Sequence, residues 1–361
     1  MSYVLAFLGF AALIFLHEAG HFVAAKAVGM RVERFSLFFG PMPIKRTIGE
    51  TEYGIGVIPL GGYVRITGMN PNEELPEEVV PRAYYNQPVW KRVVTILAGP
   101  AVNIFIAFAI AWVLLYSQGQ QVVVPVKQVA AVVKNTPAAT FMKPGDQIIS
   151  IDGVSGSPAA LRQQILNHQC AGTQSDGCRS ATPVTVVLRR HGQLLTAHVR
   201  PQVISGHPEL GFDFGSRVTG TVYPSVTGAA GTAVSKLWTV TTLTVSTIAR
   251  IFEPKERKQL NSVVGGYTVT QEAFASSATT ALQVLALISL SLGVINLFPF
   301  LPLDGGHVFW AVAEKVRGRR IPFSVMERAS VVGFALILLL FVIGLSNDIS
   351  TLSGPGFPTL H

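Results

Sequence analysis

Four stretches of this chain lack charged side chains over lengths that approach or exceed the thickness of a lipid bilayer. The first stretch is residues 3–16, and the chain is apolar again at 22–25. The others are residues 93–116, 273–303 and 329–347. A helix needs about 20 apolar residues to cross the hydrocarbon core. Only 13% of the 361 residues are charged, against roughly 25% in soluble domains. The sequence therefore predicts a polytopic α-helical membrane protein with about four transmembrane helices.

Lysine and arginine residues indicate which ends of these spans face the cytoplasm, because short basic loops stay inside. Arg31 and Arg34 follow the first span, Lys91 and Arg92 precede the second, and four basic residues at 315–320 follow the third. We therefore expect the amino terminus outside, the first loop inside, and both the long middle segment and the carboxyl terminus outside. Contact with lipid headgroups explains much of the excess basic charge, and no basic run interleaved with aromatic residues suggests nucleic acid.

The first span contains His17-Glu18-Ala-Gly-His21, in which the two histidines are four residues apart. On a helix this spacing places both imidazoles on one face, where they can bind one Zn²⁺ ion, and Glu18 can then act as the base that activates water. The alternative is two helical histidines beside a surface glutamate. Burial in hydrocarbon would cost such a cluster about several kcal/mol without partners. The membrane context therefore favours a functional site.

A catalytic zinc site needs a third protein ligand and an open position. Asp304 is the best candidate, because it follows the two prolines that end the third span. The glycines after it would let the backbone pass close to the helix that carries the histidines. An aspartate at a helix end facing water is the alternative, and His307 is the competing ligand. Asn103, in the second span, either bonds a neighbouring helix or lines the active site.

Residues 53–66 alternate glycine with β-branched and aromatic residues, a pattern that predicts strands joined by tight turns. An ordinary surface hairpin is one interpretation. Its low charge beside the histidine-bearing helix favours a membrane-associated β-hairpin that lines a protein cavity. An exposed edge of this hairpin, around Gly54 and Gly56, could pair with an extended peptide substrate.

The segment 122–205 is predicted to form an inserted extracytoplasmic α+β domain. Its strands, its helix over 158–167 and its hairpin turn at His191-Gly192 resemble those of a PDZ domain. PDZ domains commonly bind an extended peptide along a sheet edge. The loop that would bind a peptide carboxylate is expected near 136–142, where no Gly-Leu-Gly-Phe-like run occurs.

The rest of the chain divides around this insert. Residues 1–121 carry the first two spans, residues 273–361 carry the Leu-Asp-Gly motif and the last span, and a linker occupies 206–272. Within the linker, apolar positions over 234–252 predict an amphipathic helix on the outer membrane surface. A fifth span is the alternative, and it would place the basic residues at 315–320 outside.

The chain has two cysteines, Cys170 and Cys178, both in the segment placed outside. In an oxidising compartment they could form a disulfide that closes a small loop. Two unpaired thiols are the alternative, and no companion residues suggest a zinc knuckle.

These motifs together resemble the site-2 protease family of intramembrane zinc metalloproteases, and within it the bacterial regulators of anti-sigma-factor cleavage. The shared features are His17-Glu-Ala-Gly-His21, Leu303-Asp304-Gly305, the glycine-rich strands at 54–63, Ala98-Gly-Pro-Ala-Val-Asn103 and one PDZ-like domain. The resemblance implies a multi-pass protein of the bacterial inner membrane. It further implies single-span substrates such as anti-sigma factors.

The same resemblance implies a role for each site residue. His17, His21 and Asp304 would bind Zn²⁺, Glu18 would be the general base, and Asn296 would hold the substrate backbone near the site. We place Asn103, with Gly54 and Gly56 of the hairpin, among the expected substrate contacts.

Two other functions fit parts of the sequence. A non-proteolytic envelope scaffold would bind peptides through its PDZ-like domain and keep a metal only for structure, but such a site has no use for Glu18. A zinc transporter would need polar residues distributed along several spans. The sequence instead shows one compact polar cluster, which favours the protease.

Overall fold

The computed structural model describes residues 2–172, 175–204, 206–250 and 263–352. The chain forms two compact units, one from Met1–Gln118 with Pro224–His361 and the other from Gly119–Tyr223. The described α-helices, in chain order, are α1 (Ser2–Ala27), α2 (Val89–Gln118), α3 (Pro158–Leu166), α4 (Val226–Ala249), α5 (Val263–Ser276), α6 (Ala278–Asn296), α7 (Asp304–Arg317) and α8 (Phe323–Leu352).

Four of these helices are long and apolar enough to cross a membrane, namely α1, α2, α6 and α8. This number agrees with the predicted count of about four transmembrane helices. The reason is physical: without water in the bilayer core, long apolar runs must satisfy their backbone groups within a helix.

The third candidate span, α6, is shorter than the charge-free run 273–303 from which it was predicted. Residues 263–276 form α5 as a separate helix, and Ser277 then begins α6 by accepting a hydrogen bond on Oγ from the Thr280 amide at 3.0 Å. This is the usual role of serine at a helix N-cap. At its other end α6 stops at Asn296, before the prolines, and α7 begins at Asp304.

Helix α4 packs lengthwise against α2 in the antiparallel direction. Ala229 and Ala233 contact Leu115 near the end of α2, whereas Leu237 contacts the region of Ala107. The prediction that this helix lies on the membrane surface is therefore wrong. A helix that runs alongside a span cannot also lie flat across the end of that span. Among the described helices α4 is also not one of those apolar enough to qualify as a span.

The first loop folds into a four-stranded sheet rather than a hairpin. Its strands are β1 (Val32–Phe39), β2 (Ile44–Ile48), β3 (Thr51–Ile55) and β4 (Ile58–Ile66), in the order β2-β3-β1-β4. Strand β1 lies between β3 and β4, parallel to β3 and antiparallel to β4. The prediction of a hairpin over 53–66 was therefore wrong, because its two strands pair with β1 and not with each other.

The second unit is built on a five-stranded sheet. Its strands are β5 (Gln120–Val132), β6 (Gln147–Ile151), β7 (Val184–Arg190), β8 (Gln193–Val199), β9 (Gln202–Ile204), β10 (His207–Glu209) and β11 (Phe212–Val222). The sheet order is β11-β5-β6-β7-β8, with β9 and β10 forming a separate hairpin. The core consists of buried apolar side chains from the strands and α3, among them Val129, Ile148, Leu161, Val186 and Leu210.

The limits of this unit differ from the predicted 122–205. Strand β11 pairs with β5 along its length, up to the pair Val222 with Gln120. The unit therefore extends to Tyr223, because the strand that completes its sheet lies in the segment assigned to the linker. Within the unit, Cys170 and Cys178 form a disulfide, the first of the two alternatives that the sequence left open.

Candidate metal centre and active site

Helix α1 presents His17 and His21 on one buried face. Their Nε2 atoms lie 3.2 Å apart, and each residue is less than a tenth exposed. Gly20, between them, allows α2 to approach closely, since a Cβ at this position would lie 2.7 Å from the Ala98 carbonyl oxygen. The motif spacing and this small residue together bring the two imidazoles into a shared pocket beneath α2.

Asp304 completes a three-residue cluster from the first turn of α7. Its Oδ2 lies 3.2 Å from Nε2 of His17 and 3.3 Å from Nε2 of His21. The close turn depends on Gly305, where a Cβ would collide with the Leu297 carbonyl oxygen. The glycine thus packs against the end of α6 and not, as expected, against the helix of the histidines.

The three atoms have the separation that a tetrahedral zinc site requires. With bonds of about 2.0 Å, ligand atoms at the corners of a tetrahedron lie about 3.3 Å apart. In addition, Asp304 Oδ2 is buried and makes no hydrogen bond of good geometry with the described residues. A cation between the three atoms would satisfy this oxygen, so the residues present fit zinc.

Glu18 opens onto the same cavity as the three candidate ligands. The cavity has a volume of about 580 Å³ and is lined by both histidines, Asp304, the β4 residues at 61–64, and Asn296. Strand β4 lies directly against Glu18, because a Cβ at Gly62 would be 2.9 Å from Glu18 Cγ. A carboxylate, a cluster of three possible metal ligands and an open cavity therefore meet at one place.

The sequence matches peptidase family M50, the site-2 proteases, over residues 5–340. The match begins within α1 and ends within α8, so it covers all the elements between these two helices. The chain belongs to peptidase family M50. As a member, it is a zinc metalloendopeptidase with several candidate membrane spans.

Relatives of this M50 peptidase match it along most of their length. A Brucella suis protein is 29% identical over 360 residues, which cover 93% of this chain and 92% of the relative. A Mesorhizobium japonicum protein is 30% identical, covering 93% and 95%, and a Campylobacter jejuni protein is 28% identical, covering 95% and 91%. All three are named as zinc metalloproteases.

The other predicted site residues of the M50 peptidase lie at varying distances from this cavity. Asn296 and His307 line it, although His307 is not part of the three-residue cluster. Asn103 is fully buried and contacts His17 instead. Gly54 lies inside the sheet, paired with both β2 and β1, and Gly56 packs against main-chain oxygens of β1. Neither glycine is among the residues that the structure describes around the cavity.

One further contact at the site comes from a main-chain atom. Nδ1 of His21 lies 2.9 Å from the Thr95 carbonyl oxygen. A carbonyl oxygen only accepts, so His21 donates from Nδ1 and keeps the lone pair of Nε2 directed at the cluster. Sequence patterns could not identify Thr95, because the atom involved is one that every residue carries.

The second unit contains a groove of its own, of about 500 Å³, between α3 and the start of β11. Strand β11 is an edge strand of the sheet, since only β5 pairs with it. The run Glu209-Leu-Gly-Phe212 borders this groove. It has the Gly-Leu-Gly-Phe-like pattern expected near 136–142, but it lies beyond the predicted limit at 205, in the segment assigned to the linker.

Proposed function

We propose that this M50 peptidase cleaves single-span membrane proteins, such as anti-sigma factors, within the bilayer or at its cytoplasmic edge in the bacterial inner membrane. The observation that carries the proposal is the cluster of His17, His21 and Asp304 beside Glu18, with both histidines on a helix apolar enough to span a membrane. In this proposal the three clustered residues are the zinc ligands. The hydrolytic site would then lie within reach of a transmembrane segment.

His17, His21 and Asp304 would hold the zinc ion, which would supply Lewis-acid activation of water and of the scissile carbonyl group. Glu18 serves as the general base: it takes a proton from the attacking water and then donates it to the amide nitrogen of the leaving segment. The position of Glu18 between the histidine-bearing face of α1 and β4 suits both transfers, since each requires the carboxylate close to the scissile bond.

The substrate must be extended where it is cut, because a peptide bond within a helix is shielded and already hydrogen-bonded. Strand β4 is an edge strand of its sheet, and its residues 61–64 border the catalytic cavity. An unwound substrate segment can add to this edge as a further strand. Asn296, which also lines the cavity, would hold the substrate main chain by its amide group.

The second unit is proposed to be a PDZ-like domain outside the cytoplasmic membrane. Its edge strand β11, the groove beside α3 and the run Leu210-Gly211-Phe212 support peptide binding at this place. The disulfide between Cys170 and Cys178 supports an oxidising, extracytoplasmic location. A peptide held there would belong to the same substrates or to proteins that present them.

The proposal is tested with purified full-length protein and a labelled single-span substrate in detergent or liposomes. We expect cleavage that a zinc chelator abolishes and that added Zn²⁺ restores. Glu18→Gln should keep its zinc and lower the cleavage rate by about 10²–10⁴-fold or more, because it loses the proton acceptor. Glu77→Gln, in an exposed loop, is the matched control and should cleave normally.

A fully active Glu18→Gln protein would refute the mechanism. A wild-type protein that binds zinc and peptides but cleaves no substrate would favour the scaffold instead. A protein that moves zinc into liposomes without cleaving would favour a transporter.

A further inference from the structure

We infer that Asn103 is a positioning residue that orients His17 for metal binding and that it does not touch substrate. The inference rests on the proposed ligand set. Asn103 lies on α2, fully buried, and its amide group is 3.2 Å from Nδ1 of His17. It does not line the cavity among the residues that the structure describes there.

The tautomer of His17 decides which amide atom must face it. If the amide nitrogen of Asn103 donates to Nδ1, the ring proton of neutral His17 must be on Nε2, the atom that faces His21 and Asp304. A proton on Nε2 would block a metal there. Zinc binding through Nε2 therefore requires a proton on Nδ1, and the partner of Nδ1 must then accept.

Asn103 can accept after a half-turn of its amide group. The amide oxygen and nitrogen have nearly the same shape, so the turn exchanges them within the same space. In the described orientation Asn103 Oδ1 is buried and has no hydrogen-bond partner among the described residues. The half-turn places this oxygen where it can accept a hydrogen bond from Nδ1–H of His17, in the tautomer that leaves Nε2 free for a metal.

The two histidines would then be held in the same way from one helix. The Thr95 carbonyl oxygen accepts from Nδ1 of His21. After the half-turn, Asn103 Oδ1 would accept from Nδ1 of His17 across the 3.2 Å contact that Nδ2 makes in the described orientation. Helix α6 also contacts this part of α2, where Ser289 Oγ donates to the Asn103 carbonyl oxygen at 2.8 Å. Asn103 is the one hydrogen-bond partner that the structure describes for Nδ1 of His17, so its removal leaves that atom without a protein acceptor.

Zinc affinity of the full-length protein in detergent, measured by chelator competition, tests this role independently of activity. Asn103→Ala and the bulkier Asn103→Leu should weaken zinc binding about 10–100-fold. Asn103→Asp keeps an acceptor at the same place and should stay within about threefold of wild type. With Co²⁺ in place of zinc, the visible absorption bands should change in the Ala and Leu variants and persist in the Asp variant.

Ser289→Ala is the control for packing between α2 and α6, since it removes a hydrogen bond but leaves the Asn103 side chain in place. It should bind zinc as wild type does. The inference is overturned if Asn103→Ala binds zinc normally and only raises KM, or if Asn103→Asp loses zinc as the Ala variant does.

A His17→Ala variant separates this inference from the proposed function. If His17→Ala retains wild-type zinc affinity, the ligand set itself is wrong. If His17→Ala loses zinc while Asn103→Ala does not, the ligand set stands and only the role of Asn103 fails.

Discussion

At the scale of single residues, the geometry of the cluster of His17, His21 and Asp304 depends on small neighbouring side chains as well as on the three residues themselves. Gly99 of α2 lies against the imidazole of His21, and a Cβ there would collide with Nε2, the atom directed at the cluster. Because His21 is buried and also bonded to Thr95, its ring has little room to move aside.

We therefore expect Gly99→Ala to lower zinc affinity by about tenfold or more, since it displaces a ligand, with a packing cost of about 1–3 kcal/mol. Gly231→Ala is the matched control, because Gly231 is also helical and a Cβ there meets open space. Zinc titration and thermal unfolding of both variants check this. Equal zinc affinity in the two would contradict the described contact.

The sequence identified the candidate site residues that stand in recognisable motifs. His17, Glu18, His21 and Asp304 were proposed from motif and context, and the structure brings them to one cavity. The position of Asn103 beside His17 could not be predicted, because it depends on how α1 and α2 are paired and rotated. A polar residue in a span signals a buried partner but does not identify it.

At the scale of elements, the second unit carries a buried ion pair that joins the turn before β6 to the end of β7. Arg190 donates to Asp146 at 2.8 and 2.7 Å, and the Asp146 side chain is only 2% exposed. The Arg190 guanidinium holds the pKa of the Asp146 carboxyl below its usual range. The stabilisation is therefore complete above the unfolded pKa of about 4 and is lost as pH falls through the lower folded value.

Asp146→Asn should destabilise the unit by about 1–3 kcal/mol at neutral pH, because it leaves Arg190 without its charged partner. This cost should shrink as pH falls below about 4. Hydrogen exchange of the strand amides in the full-length protein measures both effects. Glu209→Gln, in the exposed pair with Arg162 at 3.4 Å, is the control and should cost less than about 1 kcal/mol.

Elements formed by local patterns were predicted better than their pairing. Charge-free runs indicated the spans because burial in lipid tolerates little else. The order β2-β3-β1-β4 was missed because glycine-rich strands close in sequence suggest a hairpin, whereas the parallel pairing of β1 with β3 depends on contacts across the whole loop. Strand β11 was missed for a similar reason, since its partner β5 lies far away in sequence.

At the scale of the whole molecule, the proposed orientation predicts which residues a membrane-impermeant reagent can reach. The two natural cysteines are joined in the disulfide. In spheroplasts, whose inner membrane is intact, these cysteines should react with an impermeant maleimide only after an impermeant reductant is added. A cysteine in place of Glu77, in the first loop, should react only after the membrane is disrupted. Labelling of that cysteine in intact spheroplasts would show the reverse orientation.

The pairing of β5 with β11 has a consequence for how such a chain could evolve. The second unit begins and ends with neighbouring residues, because Gln120 is paired with Val222 at the two points where the chain enters and leaves it. A domain whose two ends are neighbours can be exchanged, duplicated or lost by recombination. The distance that the chain must cover between the two flanking helices then stays the same. Specificity for partners could then diversify among descendants while the hydrolytic machinery was inherited unchanged.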